Sequence, residues 1–280
     1  ASRPKLEITA KIGCKINCKF CPQKLLYSRY FDHDKDRVSL MDFKTYKQCI
    51  DHMPKDAIIS FAGFVEPFFH PQGVEMIEYA HQMGHDVELF TTFMGLNLDG
   101  WNRIKNIPFL QVVLHTPDEK KYANINTSME YYQILDEALE IKKPNGKPFI
   151  DTANCQSEPT AEFLAFVKGR LLVESSLIDR AGNLDSDSLR SSSIKKGEIV
   201  CNRSNNLNHW VLLPDGVVTL CCMDFGLEGY IGNLYQCPYD ELINGREYKT
   251  IVKKMIQSDD NFICRRCTSS KEVHESGEKG

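Results

Sequence analysis

The sequence has no long apolar run and no excess of positive charge. No segment offers the roughly 18 consecutive apolar residues that a membrane-spanning helix needs, so we expect no membrane partner. Lysine and arginine number 34 against 38 aspartates and glutamates, which gives a net charge of −4. Because the basic residues also form no stripe, we expect no nucleic-acid partner.

Glycine and proline are too sparse, and apolar residues too frequent, for a disordered or collagen-like chain. The 280 residues include 17 glycines and 12 prolines, and 42% of them are hydrophobic. A chain of this length buries most of its surface on folding and needs no disulfides. It predicts one large domain, or a medium domain followed by a small one.

Cysteine is the exception, with 11 residues that fall into clusters. The first 15 residues hold no apolar segment of the secretory type, so we expect a cytoplasmic protein. In a reducing compartment, clustered cysteines favour metal binding or catalysis over disulfides.

Strand and helix patterns alternate along the first two-thirds of the chain. Strand patterns lie at 6–12, 57–62, 87–92, 110–115, 149–153 and 172–178. Helical patterns lie at 40–53, where Ser39 is the expected N-cap, and at 73–83, 98–107, 129–142 and 160–171. About six strand–helix units predict an α/β fold with a parallel sheet, either a partial barrel or a doubly wound sheet. In both, the active site lies at the C-terminal ends of the strands.

The composition changes after residue 180. Residues 182–198 are polar and serine-rich, as in a connector. A hairpin is predicted over 209–222 with its turn at 214–216, and a helix over 240–257. We therefore expect a barrel domain at 1–184, a small cysteine-rich module at 185–267, and a mobile polar tail at 268–280.

The first cysteine cluster is Cys14, Cys18 and Cys21, directly after the first strand pattern. A four-iron cluster takes one ligand per iron, so three thiolates would leave one iron open. An open coordination position is typical of a catalytic metal site. The spacing fits paired zinc knuckles poorly, but zinc and unliganded core cysteines remain alternatives.

This cluster, with Phe20 before its third cysteine, resembles that of the radical S-adenosylmethionine (SAM) superfamily. The resemblance implies a partial (β/α)6 TIM-like barrel whose three cysteines hold a [4Fe–4S] cluster. SAM binds the open iron and is cleaved to a 5′-deoxyadenosyl radical, which abstracts a substrate hydrogen. An electron donor of the flavodoxin type, or a similar one, is implied as a partner.

Two further loops carry the same resemblance. Residues 63–67 read Gly-Phe-Val-Glu-Pro and match the family's Gly-Gly-Glu-Pro motif except at Val65. After the third strand, Thr92 is the one residue kept of a Thr-Asn-Gly pattern. The SAM contacts implied by the resemblance and by strand-end position are Phe20, Gly63, Glu66, Pro67, Thr92 and His115.

The second cysteine cluster lies in the last 80 residues. Its candidate ligands are Cys201, Cys221, Cys264 and Cys267, a set that by count suits zinc or a fully ligated iron–sulfur cluster. The arrangement resembles the SPASM/twitch extension of radical SAM enzymes, which implies an auxiliary [4Fe–4S] cluster. Because no cysteine follows Cys267, the one-cluster twitch type is expected. Two spare cysteines could replace a ligand: Cys222, expected to point away from Cys221 on a strand, and Cys237.

Shared residues at 59–61, 66–67, 180–182 and 232–233 resemble the radical SAM 2-deoxy-scyllo-inosamine dehydrogenases of aminocyclitol antibiotic biosynthesis. That likeness implies oxidation of a hydroxyl-bearing carbon of a sugar- or cyclitol-type small molecule, with one electron passing to the auxiliary cluster. Arg180 is the implied substrate-binding residue. His115 is expected to be the base or a SAM contact, and Arg203 a surface residue.

Two other functions are compatible with the sequence. SPASM and twitch modules are common in enzymes that modify peptides, as maturases, thioether-forming enzymes or epimerases. Alternatively, the C-x2-C at 264–267 could be a zinc knuckle of a non-catalytic binding module.

Overall fold

The computed structural model describes residues 2–32, 34–175, 178, 180–184, 194–257 and 261–273. Within these residues, nine strands form one sheet and two short strands form another. The predicted connector at 182–198 and tail at 268–280 lie partly outside the described residues, as do parts of the predicted strand at 172–178 and the domain boundary after residue 184. The domain limits therefore stay predictions.

Six parallel strands pair in chain order. They are β1 (Lys5–Ile8), β2 (Ile58–Phe61), β3 (Asp86–Thr91), β4 (Gln111–His115), β5 (Thr152–Cys155) and β6 (Val173–Ser175). Each strand pairs with the next. Right-handed crossovers in an unreversed order keep the helices on one face, so the sheet curls as a barrel does, whereas a doubly wound sheet would reverse its order. The predicted partial barrel is confirmed.

In the described part of the chain, six α-helices lie between these strands. They are α1 (Gln23–Phe31), α2 (Phe43–Asp51), α3 (Gly73–Gln82), α4 (Leu98–Ile104), α5 (Met129–Glu140) and α6 (Ala161–Val167). The expected N-cap at Ser39 is wrong, since the Asp42 carboxylate accepts the Thr45 N–H at 2.8 Å and α2 begins after it. Helix α1 was not anticipated because it buries only Leu26 and Tyr30, too few for an apolar stripe.

Within 194–257 and 261–273, the C-terminal part shows five strands and three helices. They are β7 (Ile199–Cys201), β8 (His209–Leu212), β9 (Val217–Thr219), β10 (Tyr230–Asn233), α7 (Tyr239–Ile243), α8 (Arg246–Ile256), α9 (Ile263–Arg266) and β11 (Ser270–Glu272). The single helix expected at 240–257 is divided at Asn244 and Gly245, since Gly245 caps α8 in an extended conformation. The part of the tail expected to be mobile includes β11, which pairs with β7 and sets Ser270 opposite Cys201.

The C-terminal hairpin extends the barrel sheet. Strand β8 runs parallel to β1, from the pair Lys5–His209 to the pair Ile8–Leu212, and β9 and β10 follow on its outer side. Because β8 occupies the free edge of β1, strands β1 and β6 do not pair in the described chain, and the barrel stays open there. The second cysteine cluster is thereby placed beside β1.

Apolar packing is continuous across the barrel and hairpin. Trp101 of α4 and Trp210 of β8 belong to the same buried cluster. A second, smaller cluster of Ile16, Ala123 and Ile125 packs beneath the first cysteine loop. No helix in the described ranges has the length and apolar character needed to cross a membrane.

Candidate active site

The loops at the C-terminal ends of the parallel strands surround a cavity of about 130 Å³. Its lining includes the three cysteines after β1, Gly63 and Glu66 after β2, Thr92 after β3, His115 at the end of β4, and Arg180 after β6. C-terminal strand ends meet at one edge of a parallel sheet, so residues far apart in sequence converge there. This edge is where the sequence predicted the site.

The loop that carries Cys14, Cys18 and Cys21 is held by the loop after β4. The Lys19 N–H donates to the Tyr122 carbonyl at 2.6 Å, and the Asn124 N–H donates to the Ile16 carbonyl at 2.8 Å. These bonds hold the middle of the loop on either side of Cys18, and all three cysteines line the cavity.

The three thiols have different proton affinities. The Cys18 thiol donates a hydrogen bond to Cys21 and, with the Arg180 guanidinium, lowers the pKa of Cys21 to about 6, although burial opposes the shift. Burial raises the pKa of Cys14. Since thiolate is the form that binds metal, Cys21 is the thiol most easily deprotonated.

The donor set fits an iron–sulfur cluster better than a single zinc ion. No fourth cysteine lies among the described residues that line the cavity. Nor do any three His, Cys, Asp or Glu side chains in the described ranges converge closely enough to share one metal ion. A four-iron cluster takes one thiolate per iron, so three thiols spread around one cavity suit such a cluster with one iron open.

Glu66 and Thr92 form one hydrogen-bonded unit. The Glu66 carboxylate accepts the Thr91 hydroxyl at 2.6 Å, the Thr92 N–H at 2.7 Å and the Thr92 hydroxyl at 2.8 Å. Glu66 also lines the cavity, so a ligand there can add a further donor to this carboxylate. Burial raises the pKa of Glu66 to about 7, against the opposing effect of these bonds. An added cationic donor would favour the charged form.

Gly63 is required by the close approach of two strand ends. A Cβ atom at this position would lie 2.3 Å from Thr9 Oγ1 and 2.5 Å from the Ile8 carbonyl oxygen. The same Thr9 hydroxyl accepts the Phe64 N–H at 2.8 Å. The loop after β2 is therefore held against the end of β1, and no side chain fits between them.

Two of the expected SAM contacts lie outside the cavity lining. The Phe20 ring packs edge-on against Tyr122 with centroids 5.5 Å apart, and its carbonyl accepts from Arg180 Nε at 3.4 Å. Pro67 is buried and begins a short 3₁₀ helix, Pro67–Phe69. Both residues support the loops of the cavity.

His115 and three amide side chains complete the polar lining. Burial, together with the Arg180 charge, lowers the pKa of His115 to about 4, so the imidazole is neutral at pH 7. The sequence reasoning missed Gln23, Asn154 and Gln156, which also line the cavity. Gln23 Oε1 and Gln156 Oε1 are buried without a hydrogen-bond partner in the described chain. Such unpaired oxygens suit a cavity that holds a polar ligand, and the strand-end position of Asn154 and Gln156 could have identified them.

A second cavity, of about 40 Å³, collects the C-terminal cysteines. All four expected ligands line it, namely Cys201, Cys221, Cys264 and Cys267. Cys222 lines it too, and the strand on which Cys221 and Cys222 were expected to point apart does not reach them. Strand β9 ends at Thr219, before strand alternation could separate the two side chains. Cys237 is not among the lining residues described.

Arg265 organises the C-terminal knuckle from inside. Its side chain is fully buried, and its guanidinium donates to five carbonyl oxygens. These belong to Lys195, Gly197, Lys254, Met255 and Gln257. The last three lie at the C-terminal end of α8, where a cation satisfies unpaired carbonyls and the helix dipole. Arg265 thereby anchors Cys264 and Cys267 between α8 and the approach to β7.

Arg180 lines the first cavity, and its charge also reaches groups of the second. Its charge acts on Cys21 and His115 of the first cavity and on Cys222 and Glu7 of the second. Its backbone has φ of 52°, in the left-handed region. Its guanidinium also lies over the Phe225 ring, 5.5 Å from the centroid.

Arg203, expected on the surface, is an exposed residue whose guanidinium nevertheless reaches inward. Its Nη2 lies 3.4 Å from Cys222 Sγ, and it lines the second cavity. The prediction of a surface position therefore holds for the residue as a whole but not for its guanidinium group.

Comparison with known proteins gives a family match for the C-terminal part and a similar fold for nearly the whole chain. Residues 201–268 match the model of the SPASM family, an iron–sulfur cluster-binding domain. The chain resembles the structure of BtrN in complex with AdoMet and 2-DOIA, at 12% identity, with a TM-score of 0.60 and coverage of 98% of this chain and 94% of BtrN. The chain thus has the fold of radical SAM enzymes that carry a SPASM domain.

Two other structures with this radical SAM fold are similar over nearly the whole chain. The structure of anSMEcpe with bound AdoMet is 16% identical, with a TM-score of 0.55 over 95% of this chain and 84% of that one. Streptococcus suis SuiB bound to the precursor peptide SuiA is 11% identical, with a TM-score of 0.59 over 95% of this chain and 69% of that one. No curated protein gives a significant match. The expected resemblance to radical SAM proteins with a SPASM/twitch extension is confirmed.

Proposed function

We propose that this protein is a radical SAM oxidoreductase that dehydrogenates a hydroxyl-bearing carbon of a cyclitol- or sugar-like small molecule. Cys14, Cys18 and Cys21 would hold a [4Fe–4S] cluster, with SAM on its open iron. When bound and reduced, this pair supplies a 5′-deoxyadenosyl radical that abstracts hydrogen from carbon. Glu66, which lines the first cavity, would accept a hydrogen bond from the SAM ammonium group.

The second cavity would hold an auxiliary [4Fe–4S] cluster. Cys201, Cys221, Cys264 and Cys267 supply one thiolate per iron. The SPASM match over residues 201–268 supports this cluster over zinc. An external one-electron donor of the flavodoxin type would reduce the SAM-binding cluster.

The observation that supports the oxidation is that Arg180 lines the first cavity while its charge reaches groups of the second. A dehydrogenation needs its substrate close to both the hydrogen-abstracting group and an electron acceptor. The Arg180 guanidinium is near Cys21 on one side and near Cys222 and Glu7 on the other. It is the donor best placed to orient a hydroxyl-bearing substrate there.

We predict that the anaerobically reconstituted protein binds about eight irons per chain, as two cubanes. The triple variant Cys14→Ala, Cys18→Ala, Cys21→Ala should retain about four irons and produce no 5′-deoxyadenosine from SAM, because it lacks the open iron. Iron analysis and chromatography of the nucleoside check both statements. The control Cys237→Ala, outside the described lining of both cavities, should match the wild type. Stoichiometric zinc, or nucleoside production by the triple variant, would contradict the proposal.

The alternative is radical modification of a peptide. Its support is the likeness to SuiB, which was solved with its precursor peptide and has a TM-score close to that of BtrN. Incubation with carbon-deuterated cyclitols or with candidate deuterated peptides separates the two functions. Deuterium should appear in 5′-deoxyadenosine with cyclitols, and its appearance only with peptides would favour the alternative.

A further inference from the structure

A layer of polar side chains crosses the barrel interior below the first cavity. Strand register places Glu7 opposite Ser60, Ser60 opposite Glu88, and Glu88 opposite Gln111. Residues paired in register on neighbouring strands project to the same side of a sheet. Glu88 is held by Lys5, whose Nζ lies 2.8 Å from its carboxylate. No comparable ion pair holds Glu7 within the described part of the chain.

Glu7 faces the second cavity, where the auxiliary cluster is proposed. It is a buried residue that lines this cavity together with Cys222, Arg203 and His209. The Cys222 thiol donates a hydrogen bond to the Glu7 carboxylate. Arg180, which lines the first cavity, acts on the same carboxylate through its charge. Glu7 is therefore a buried carboxylate of the second cavity that feels the charge of Arg180, a residue of the first cavity.

We propose that Glu7 is a further catalytic residue, the base that takes the substrate hydroxyl proton as an electron leaves for the auxiliary cluster. This inference rests on the proposed function and extends it. The carbinol loses its carbon-bound hydrogen as an atom to the 5′-deoxyadenosyl radical and its hydroxyl proton to Glu7. It loses one further electron to the oxidised auxiliary cluster. The C–H and O–H bonds break, the C=O double bond forms, and the carbon is oxidised by two electrons.

Glu7 is better suited to this task than His115. His115 lines the first cavity, where SAM is proposed to bind, and its lowered pKa of about 4 makes it a poor proton acceptor. Burial raises the pKa of Glu7, which makes its carboxylate a stronger base. The titratable and charged groups that act on Glu7 are Arg203, Cys222, Lys5 and Arg180. Because the carboxylate is the active form, oxidation should slow as the pH falls through this raised pKa.

The first test needs no substrate. An added electron on the auxiliary cluster should raise the proton affinity of a carboxylate beside the cluster. Reduction of the cluster is then coupled to proton uptake, so the midpoint potential of the cluster should fall as the pH rises above the ordinary range of Glu. EPR-monitored redox titration of the SAM-bound holoprotein, following the cluster signal that SAM does not perturb, measures this. We expect pH dependence in the wild type, in Glu7→Asp and in the matched control Glu88→Gln, and none in Glu7→Gln.

The second test follows turnover of carbon-deuterated scyllo-inosamine and 2-deoxy-scyllo-inosamine. Glu7→Gln should still move deuterium into 5′-deoxyadenosine but should form ketone roughly 10²-fold more slowly or worse, as expected for loss of a general base. Glu88→Gln should retain both steps.

The outcomes separate the two proposals. A potential that is independent of pH in the wild type, a pH dependence that survives in Glu7→Gln, or unimpaired ketone formation by Glu7→Gln overturns the role of Glu7. Absence of deuterium transfer from every cyclitol in the wild type overturns the proposed oxidation instead, and the redox titration still decides whether Glu7 takes up a proton. Iron analysis shows whether each variant has loaded both clusters. If Glu7→Gln does not load them, the comparison of Glu7→Asp with the wild type decides the question.

Discussion

At the scale of single residues, Glu66 shows how a departure from a motif can be tolerated. Val65 stands where the related motif has its second glycine, yet Glu66 is still fixed by three hydrogen bonds from Thr91 and Thr92. Thr92 therefore helps to position Glu66, although the Asn and Gly of the Thr-Asn-Gly pattern are missing. Glu66, Thr91 and Thr92 thus form one hydrogen-bonded network between the ends of β2 and β3. In the sequence, the same residues belong to two separate motifs.

We predict that Glu66→Gln weakens SAM binding to the cluster-loaded protein by roughly 10- to 100-fold, since a hydrogen bond to a charged group contributes about 1.5–3 kcal/mol. Anaerobic calorimetric titration with SAM measures the change. The control Glu75→Gln, on α3 beside Arg103 and away from the cavity, should bind SAM as the wild type does. An unchanged dissociation constant in Glu66→Gln would exclude contact with the ammonium group.

At the scale of elements, the C-terminal knuckle depends on the end of a helix. Arg265 and Arg266 are adjacent in sequence but differ in environment. Arg265 is fully buried among backbone carbonyls, whereas Arg266 forms a more exposed ion pair with Glu228. The carbonyls at the end of helix α8 are therefore bound by a side chain from α9, and this contact positions Cys264 within α9 and Cys267 directly after it.

We predict that Arg265→Lys lowers the free energy of unfolding by about 3 kcal/mol, because an ammonium cannot reach all the carbonyls that the planar guanidinium satisfies. It should also reduce loading of the auxiliary cluster while leaving SAM cleavage intact. Urea denaturation and iron analysis measure the two effects. Arg266→Lys is the matched control and should change both by little, as expected for a surface pair; equal effects of the two variants would refute the anchoring role.

At the scale of the whole molecule, the barrel and the hairpin share one sheet. The pairing of β1 with β8 joins residues about two hundred positions apart, and buried apolar packing continues across the joint. The two halves should therefore unfold together, although their sequence patterns describe a barrel and a separate small module.

The two tryptophans test this cooperativity, since Trp101 reports on α4 of the barrel and Trp210 on β8 of the hairpin. In single-tryptophan variants made by Trp101→Phe and Trp210→Phe, the fluorescence midpoint in urea should coincide with the far-UV circular dichroism midpoint of the same variant. The reason is that neither half keeps its packing when the β1–β8 pairing is lost. A fluorescence transition that precedes the loss of helix signal in either variant would show that the halves unfold separately.

Much of the barrel was predictable because its signals are local. Six of its strands, and the helices α2 to α6 between them, follow apolar periodicity within short windows. Helix α1 was missed since it has no apolar stripe, and the break at Gly245 was missed since the helical pattern continues on both sides of it. The pairing of β8 with β1 has no local signal, because it is selected by long-range burial.

By itself, the sequence determined that three thiols of the first site lie close together along the chain. Three cysteines within eight residues stay near one another whatever the rest of the chain does. Only the tertiary structure decided which groups surround the second cavity, including Cys222 beside Cys221 and Glu7 from the first strand. The physical reason is that covalent spacing limits neighbours along the chain, whereas neighbours across the fold depend on strand register and on what is buried together.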